Sequence, residues 1–303
     1  MSVNLSDYIF IGVDIGGSHI TAAHVMPHYC SINSDTKVRL HVDSHGEADY
    51  ILNQWAKAII KLVDPAKKDS TKIGIAMPGP FNYSEGVSLI KGMNKYESLY
   101  GMNVREALSD LIGIEPDNIM FRNDAEAFLH GEVVFGKMHS SSKVIGVTLG
   151  TGLGSAKSAN GITTDVFRAI TPMHDGIAED YISTRWFLKR CNELTGRTLT
   201  NVEELLNDSD LVLKERLLDE FGNNLGTFLN NFAAEEQADV VILGGNIAKG
   251  MHAFGNQTLA CITNKNIIIK QSTLWEDAAL IGAACSWPEA ELLSQQVSSK
   301  ASA

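Results

Sequence analysis

The sequence predicts an α/β fold built from two related halves, and three observations carry this prediction. Short apolar strands alternate with helical segments within each half of the chain. The segment FIGVDIGGS (residues 10–18) is matched without a gap by VIGVTLGTG (residues 144–152), about 134 positions later. The length of 303 residues suits two domains, at roughly 100–200 residues each. We expect one structural unit to occur twice; the alternative is a chance likeness between two glycine-rich hairpins.

In the first half, strands are expected at residues 9–13 and 20–25, joined at the glycines. Residues 50–63 have apolar side chains at helical spacing and end at a polar break. KIGIAMPG (72–79) is a short buried strand stopped by proline and glycine, and VREALSDLIG (104–113) is a helix ended by its glycine. NIMFRND (118–124) predicts a strand that leads into a helix over residues 125–136.

The second half alternates in the same way. Helices are expected at residues 179–196, 213–237, 246–259 and 276–293, and strands at DVVILGG (239–245) and NIIIK (266–270). We expect the first domain over residues 1–122 together with a final helix, about 287–303, that packs back on it. The second domain is then expected over residues 123–286.

Composition excludes several classes of function. The net charge of −11 and the absence of a Lys/Arg run argue against a nucleic-acid partner. The four cysteines are scattered singly, so neither a zinc knuckle nor a disulfide framework is indicated, and free thiols in a reducing compartment are expected. No stretch approaches about 18 apolar residues and the start of the chain lacks a basic-apolar leader, so we expect a cytoplasmic protein with no membrane partner.

The segment DIGGS places Asp14 directly before a turn made of Gly16, Gly17 and Ser18. A backbone that turns through glycines presents its N–H groups without Cβ atoms, which suits a phosphate. Asp14 would repel that phosphate unless a divalent cation lay between them, so it is a candidate Mg²⁺ partner, direct or through water. The alternative is a simple hairpin turn in which Asp and Gly serve conformation alone.

TLGTGLGS supplies a second turn of this kind, at Gly150, Thr151 and Gly152, where the threonine adds a hydroxyl donor. It is neither a GxGxxG that opens a helix nor a Walker GxxxxGK[ST], so a Rossmann or P-loop interpretation fails. Gly244 and Gly245 follow a buried strand and precede a helix, where a ribose or a flat ring can approach the backbone. As the third member of this set, they indicate an adenosine pocket.

FRNDAEAF places Asn123 and Asp124 where a strand passes into a helix. One interpretation is an N-cap, because Asp is favoured there. The other is a general base, because transferring phosphate to a hydroxyl is helped by a carboxylate that accepts the hydroxyl proton.

Together these segments resemble the ROK family within the sugar kinase/Hsp70/actin superfamily. The resemblance rests on five motifs in the family's order, over almost the whole chain: residues 14–18, 78–80, 123–125 with Gly131-Glu132, 149–154 and 244–245. It implies two RNase H-like (actin-like ATPase) domains with an interdomain cleft, and an ATP- and Mg²⁺-dependent hexose kinase. Relatives commonly pair, so a homodimer is expected.

By position, Asp124 matches the family's catalytic base and Asn123 the adjacent sugar-binding asparagine. Asn94 falls near the other sugar-contacting asparagine, and Glu179 in GIAEDYIS matches the sugar-binding glutamate of GCLEAYAS. The resemblance implies a sugar and ATP as small-molecule partners, with transfer to a hydroxyl, the 6-OH, of a hexose or an N-acetylhexosamine.

The chain departs from the family in one region. The ExGH segment and the three cysteines of the zinc-binding cluster are missing, so no structural zinc is expected, and His174 is more often a surface residue than a sugar ligand. About eight residues precede the first strand, so a repressor's N-terminal helix-turn-helix is not expected. The rival to a kinase is a catalytically weak sugar- or nucleotide-sensing protein of the same family.

Overall fold

A computed structural model describes residues 4–138 and 142–300. Its strands are β1 Ile9–Ile15, β2 His19–Met26, β3 Ser31–Ile32, β4 Val38–His41, β5 Thr71–Met77, β6 Phe81–Asn82, β7 Val87–Ser88, β8 Ile119–Asn123, β9 Val144–Leu149, β10 Leu153–Ala159, β11 Ile162–Asp165, β12 Pro172–Met173, β13 Gly176–Ile177, β14 Val240–Gly244 and β15 Ile268–Gln271. Its helices are α1 Ala48–Ile60, α2 Val104–Ile112, α3 Asp124–Phe135, α4 Ala178–Tyr181, α5 Thr184–Thr195, α6 Val202–Leu206, α7 Leu211–Glu236, α8 Met251–Ala260, α9 Asp277–Ala284 and α10 Pro288–Lys300.

The chain forms two compact units: unit 1 is Met1–Lys137 with Glu276–Ala303, and unit 2 is Met138–Trp275. The final helix, α10, lies in unit 1, and residues 301–303 of the predicted final helix lie outside the described residues. The predicted boundaries at 122 and 287 differ from the observed ones, because α3 and α9 also belong to unit 1.

Glycines explain why α3 and α9 stay together in unit 1. A Cβ on Gly282 of α9 would lie 1.8 Å from the carbonyl oxygen of Ala127, and one on Gly131 of α3 would lie 2.1 Å from that of Ala278. A Cβ on Gly12 of β1 would likewise lie 2.1 Å from the carbonyl oxygen of Leu280. The backbones of α3, α9 and the sheet are therefore in direct contact, which a sequence pattern of helices and strands does not reveal.

The main sheet of unit 1 has the order β3-β2-β1-β5-β8, with β4 also paired to β2. β1 and β2 form an antiparallel hairpin, while β5 and β8 continue the sheet parallel to β1. A hydrophobic core lies among these strands, α1 and α2, with Trp55 and Tyr96 fully buried and in edge-to-face contact, 5.2 Å between ring centroids. Helix α2 ends as the sequence predicts, because Gly113 closes it in the left-handed conformation.

The main sheet of unit 2 has the order β11-β10-β9-β14-β15. β9 and β10 are an antiparallel hairpin, and β14 and β15 follow parallel to β9. Its core is centred on aromatic rings of α5, α7 and α8 that contact one another in tilted and edge-to-face arrangements, with Phe187, Phe221 and Phe254 fully buried. The hairpin and the two parallel strands occur in the same order in both units, which confirms the predicted duplication and the two-domain α/β fold.

Two helices predicted as continuous are each divided. The segment 179–196 breaks at Ile182 and Ser183 into α4 and α5, and the segment 276–293 breaks before Pro288 into α9 and α10. Proline at the first position of a helix starts a new helix readily, because it has no N–H to satisfy. Within residues 4–138 and 142–300, no helix combines the length and apolarity that a membrane crossing requires.

Candidate active site

The first glycine turn connects β1 to β2 and is fastened at its base. The amide of Gly16 donates to the carbonyl of His19 at 2.9 Å, and the hydroxyl of Tyr96 donates to the carbonyl of Gly16 at 2.5 Å. Ser18 contributes its carbonyl to the amide of Val42 at 2.9 Å. These bonds hold the turn while leaving Gly17 and Ser18 exposed.

The protein's own conformation does not require glycine in this turn. Neither Gly16 nor Gly17 has a positive φ, a Cβ on Gly17 would meet nothing within 4 Å, and one on Gly16 would lie 3.6 Å from the carbonyl oxygen of His19. The space above the turn is therefore open, and a ligand could approach the backbone closely. This geometry suits the predicted phosphate contact better than the simple-hairpin alternative.

Asp14, the next candidate, is partly buried near the end of β1. The pKa of Asp14 is raised to about 7, mainly by burial and then by repulsion from Asp124, with Arg39 opposing the rise and Glu276 adding to it. Asp14 lies near the end of β1, and Asp124 directly follows the end of β8. Their carboxylates are nevertheless close enough to repel each other. Two neighbouring carboxylates beside an open phosphate turn are a donor set that fits Mg²⁺, which binds one or two carboxylates and completes its shell with phosphate oxygens and water.

The structure assigns the N-cap of α3 to Asn123, and the general-base role of Asp124 stays a prediction. The Oδ1 atom of Asn123 accepts from the amides of Ala125 and Glu126 at 2.8 and 3.1 Å, so Asn123 is the N-cap of α3. Asp124 is the first helical residue, and the cap-only interpretation of it is wrong. The carboxylate of Asp124 is exposed and accepts one bond, from the amide of Ala125 at 2.9 Å.

The cap function limits what Asn123 can offer a sugar. Its Oδ1 is used twice, and its Nδ2 donates to the hydroxyl of Tyr83 at 3.2 Å. With the residue buried, a sugar contact from Asn123 would have to come from the remaining Nδ2 hydrogen.

Asp124 has an electrostatic partner that the sequence analysis missed. Although Asp124 reaches solvent, desolvation of its carboxyl by the surrounding protein raises its pKa, while the ammonium of Lys95 lowers it, as does the amide of Ala125. Lys95 directly follows the predicted sugar residue Asn94, which is exposed and has a positive φ of 55°. The segment around Asn94 is therefore near Asp124. Only the position of this lysine beside Asn94 was available as a signal.

The second glycine turn connects β9 to β10 in unit 2. The amide of Gly150 donates to the carbonyl of Gly152 at 3.1 Å, and the carbonyl of Gly150 accepts from the amide of Thr184 at 2.8 Å. A Cβ on Gly150 would meet nothing within 4 Å, and Thr151 is exposed. This turn therefore has the same open character as the first one.

Glu179 lies against this second turn. Its Oε2 accepts from the amide of Leu153 at 2.9 Å, and its Oε1 forms an ion pair with Arg185. Gly152 leaves room for the carboxylate, since a Cβ there would lie 2.5 Å from Oε2. Both carboxylate oxygens thus have partners in unit 2, and a sugar contact from Glu179 would have to share or replace one of them. No sequence pattern pointed to Arg185 as a partner of Glu179.

His174 is placed away from these residues, on an open polar cleft of ≈ 690 Å³ in unit 2. It is exposed, its Nε2 hydrogen-bonds to Asn224 at 3.1 Å, and its ring packs edge-to-face on Tyr181. None of the predicted site residues lines this cleft. The surface interpretation of His174 suits this placement.

The backbone around Gly244 and Gly245 explains why these positions are occupied by glycine. Gly244 ends β14 and pairs with Thr148, next to the second turn. Gly245 has a φ of +81°, and a Cβ there would lie 2.3 Å from the carbonyl oxygen of Leu149. This glycine is needed for the backbone itself, so its presence does not by itself indicate an adenosine pocket, and that role stays a prediction.

The predicted residues thus form two groups. Unit 1 contains Asp14, the turn Gly16–Ser18, Asn94, Asn123 and Asp124. Unit 2 contains the turn Gly150–Gly152, Glu179, Gly244 and Gly245. Among the residues that the structure describes, no set of three or more His, Cys, Asp or Glu side chains is arranged to hold a metal ion.

Comparison with known proteins identifies a family from the sequence and a fold from the structure. The sequence pattern of the ROK family matches residues 10–165. A beta-glucoside kinase of Listeria innocua is 27% identical over 293 residues, covering 89% of this chain and 94% of that enzyme. A glucokinase of Thermotoga maritima is 24% identical over 151 residues, and that match covers 50% of this chain and 44% of the enzyme, less than half its length.

Solved structures match over more of the chain at lower identity. A ROK family glucokinase from Streptomyces griseus, in complex with glucose and AMPPNP, has a TM-score of 0.72 at 19% identity, covering 91% of this chain and 98% of that one. A ROK family transcriptional regulator, a homolog of the E. coli MLC protein, has a TM-score of 0.76 at 15% identity, covering 98% and 81%. At these identities the likeness shows a shared fold of the two-domain actin-like ATPase type. Since the family pattern also matches more than half of the sequence, the chain belongs to the ROK family.

Proposed function

We propose that the protein is an ATP-dependent sugar kinase that transfers the γ-phosphate to a hydroxyl, the 6-OH, of a hexose or N-acetylhexosamine. One observation carries the proposal: unit 1 brings the carboxylates of Asp14 and Asp124 together beside an open glycine turn. Family membership and the sugar kinases among the relatives support it.

In the proposed reaction, Asp124 is the general base. Its solvent-accessible side chain accepts the proton of the sugar hydroxyl as the bond from that oxygen to phosphorus forms and the bond from phosphorus to the leaving ADP oxygen breaks. A base is most effective when its pKa approaches the working pH, and desolvation raises the pKa of Asp124 in that direction. Lys95 opposes the rise and so helps to keep the carboxylate ionised.

The donor phosphates are proposed to bind the turns Gly16–Ser18 and Gly150–Gly152, with the nucleoside near Gly244 and Gly245. Open space at Gly16, Gly17 and Gly150 supports the phosphate contacts. Asp14 is the residue that would hold Mg²⁺, which when bound neutralises charge on the phosphates.

The sugar is proposed to contact Asn94, Asn123, Asp124 and Glu179. Asn94 is exposed and close in sequence to Lys95, which supports its assignment. Asn123 and Glu179 already have several partners within the protein, so they would contribute fewer bonds than free side chains. These two engaged side chains are also what favours the second candidate, a sensing protein that binds ligands and catalyses weakly.

ADP release separates the two candidates. We would assay the full chain with Mg·ATP over hexoses, hexosamines, N-acetylated sugars and β-glucosides, with Asp124→Asn as the inactive control. Turnover with one sugar class that disappears in Asp124→Asn supports the kinase, and ³¹P–¹³C correlation in the product identifies the hydroxyl. Ligand-induced shifts in melting temperature without ADP release across the panel would contradict the kinase and support the sensor.

A further inference from the structure

The second glycine turn is braced by a chain of three contacts that ends at an arginine. Thr184, the first residue of α5, donates its amide to the carbonyl of Gly150 at 2.8 Å. Glu179 accepts the amide of Leu153 at 2.9 Å and pairs through its other oxygen with Arg185. Arg185 is thus joined to the turn through Glu179 and is the residue after the one that bonds to the turn directly.

Arg185 keeps most of its hydrogen-bonding capacity free. A guanidinium has five N–H donors, and among the described residues the side chain of Arg185 bonds only to one oxygen of Glu179. The side chain is 61% exposed. Arg190, one and a half turns later on α5, differs, because it bonds to both oxygens of Glu220 and also to Glu193.

A planar guanidinium with unused donors beside an open turn is suited to phosphate. Arginine binds phosphate through two parallel N–H···O bonds, and an ion pair on one edge fixes the plane in which the other edge is presented. The turn itself offers backbone amides and the hydroxyl of Thr151, which carry no net charge. A single cation at this position would balance part of the charge of a nucleotide's phosphate chain.

We propose that Arg185 is a nucleotide-binding residue that contacts the phosphate chain at the second glycine turn, with Glu179 positioning its guanidinium. This inference rests on the proposed binding of a nucleoside triphosphate to that turn. It concerns binding of the donor and not the transfer step, so it can be tested without turnover.

The test compares the affinities of ATP, ADP and AMP, with Mg²⁺ and no sugar, by calorimetry on the full chain. Arg185→Met removes the charge and keeps the length of the side chain, and it should weaken ATP and ADP roughly 10- to 100-fold, as expected for the loss of charge-assisted hydrogen bonds. AMP, whose single phosphate adjoins the nucleoside, should change by no more than about twofold. Equal losses for all three nucleotides, or none, would overturn the inference.

Lys189→Met is the matched control. Lys189 is on the same helix, its side chain is 77% exposed, and its ion pair with Glu193 is long at 3.9 Å. Like Arg185→Met, the variant Lys189→Met removes one positive charge, but it does so away from the turn. Nucleotide affinities should therefore stay at the parental values. A loss equal to that of Arg185→Met would show a general effect of net charge and would contradict a direct contact.

A second background separates contact from bracing. Glu179→Gln removes the ion pair with Arg185. If Arg185 affected ATP binding only by bracing Glu179, Arg185→Met would cause no further loss of affinity in this variant. Because Glu179 positions the guanidinium but does not itself hold the phosphate in this proposal, we expect Arg185→Met to lower ATP affinity further in that background, though by a smaller factor than in the parent, as for residues in contact. No further loss would overturn the contact with phosphate. If the parent binds ATP but transfers no phosphate to any sugar, the kinase proposal fails while this one stands or falls by the binding data alone.

Discussion

The hairpins of the two units share a backbone plan and differ in what fastens them. In unit 1, Gly12 pairs with Ala23 and the turn that follows is tied down by the hydroxyl of Tyr96. In unit 2, Gly146 pairs with Ala156 and the turn is tied down by a carboxylate, Glu179, and by an amide of α5. A duplicated fold has therefore kept the turn and replaced its supports.

The difference extends to the residue two positions before each turn. Asp14 and Thr148 occupy matching strand positions and are both partly buried, yet only Asp14 carries a charge. The acid chemistry of the proposed site, Asp14 with Asp124, is thus confined to unit 1. We infer that both turns serve to hold phosphate and that one unit alone holds the metal and the base.

Removing the proposed base, Asp124, is the most direct test of the division of roles between the two units. Asp124→Asn should lower kcat by roughly 10²–10⁴, the range for loss of an acid–base group, because no carboxylate then accepts the hydroxyl proton. ATP affinity, measured by calorimetry, should be largely kept. Asp110→Asn, which neutralises an exposed carboxylate of α2, is the control. Turnover at the parental rate in Asp124→Asn would show that the base lies elsewhere.

The two hairpins and the strand-to-helix junction of the candidate site could be predicted from the sequence. The FIGVDIGGS/VIGVTLGTG match gave both hairpins, and the strand-to-helix junction gave Asn123 and Asp124, because turns and buried strands have strong local patterns. The contact of α9 with α3 could not be predicted, since it depends on backbone packing between residues about 150 positions apart. Lys95 and Arg185 could not be predicted for a similar reason: a single cation has no sequence pattern until the fold places it beside an acid.

Exchanging the two matching residues tests whether the metal belongs to unit 1 alone. Asp14→Thr copies the second hairpin, and it should raise the Mg²⁺ concentration for half-maximal rate roughly 10- to 100-fold, as for loss of a group that binds or orients a metal. Thr148→Asp copies the first, and it should weaken ATP binding through repulsion while leaving the Mg²⁺ requirement unchanged. Titrations of initial rate with Mg²⁺ measure both. Equal Mg²⁺ shifts in the two variants would contradict an asymmetric site.

Replacing a glycine by alanine should have different effects in the two units. Gly245→Ala should lower the free energy of unfolding by about 1–3 kcal/mol or more, because the residue has a φ of +81° and no room for a Cβ. Gly17→Ala should leave stability within about 0.5 kcal/mol, because its Cβ meets nothing, and should raise the KM for ATP. Urea unfolding and steady-state kinetics provide the two measurements. A stable Gly245→Ala, or a Gly17→Ala with unchanged KM, would remove the distinction between a structural and a ligand-facing glycine.

The charge at Asp14 should also appear in the pH dependence of stability. The pKa of Asp14 is about 7 in the folded protein, against 3.8 without the fold, so the folded state holds a proton that the unfolded state releases between these values. The contribution of Asp14 to the free energy of unfolding therefore falls as pH rises from about 4 to 7. Asp14→Asn should match the parent near pH 4 and exceed it at pH 8, without Mg²⁺ or nucleotide.

Because part of the Asp14 side chain reaches solvent, the gain in Asp14→Asn at pH 8 should be on the order of 1–2 kcal/mol. Denaturant melts at pH 4.5, 6 and 8 measure it, and Thr148→Asn is the matched control, with no pH-dependent difference expected. A difference between Asp14→Asn and the parent that is constant with pH would contradict the raised pKa.

The smallest expected effect concerns the fastening of the first turn. Tyr96→Phe removes the hydroxyl that donates to Gly16 and should lower the free energy of unfolding by about 0.5–1.5 kcal/mol, the usual worth of one hydrogen bond. Tyr29→Phe is the control, since Tyr29 is 74% exposed and should change nothing measurable. Because Tyr96 also packs on Trp55, its ring must stay, and phenylalanine keeps it. If the turn binds phosphate, Tyr96→Phe should also raise the KM for ATP several-fold, whereas the KM for sugar should stay the same. A loss of stability with an unchanged KM for ATP would mean that the turn is held by Tyr96 but is not where phosphate binds.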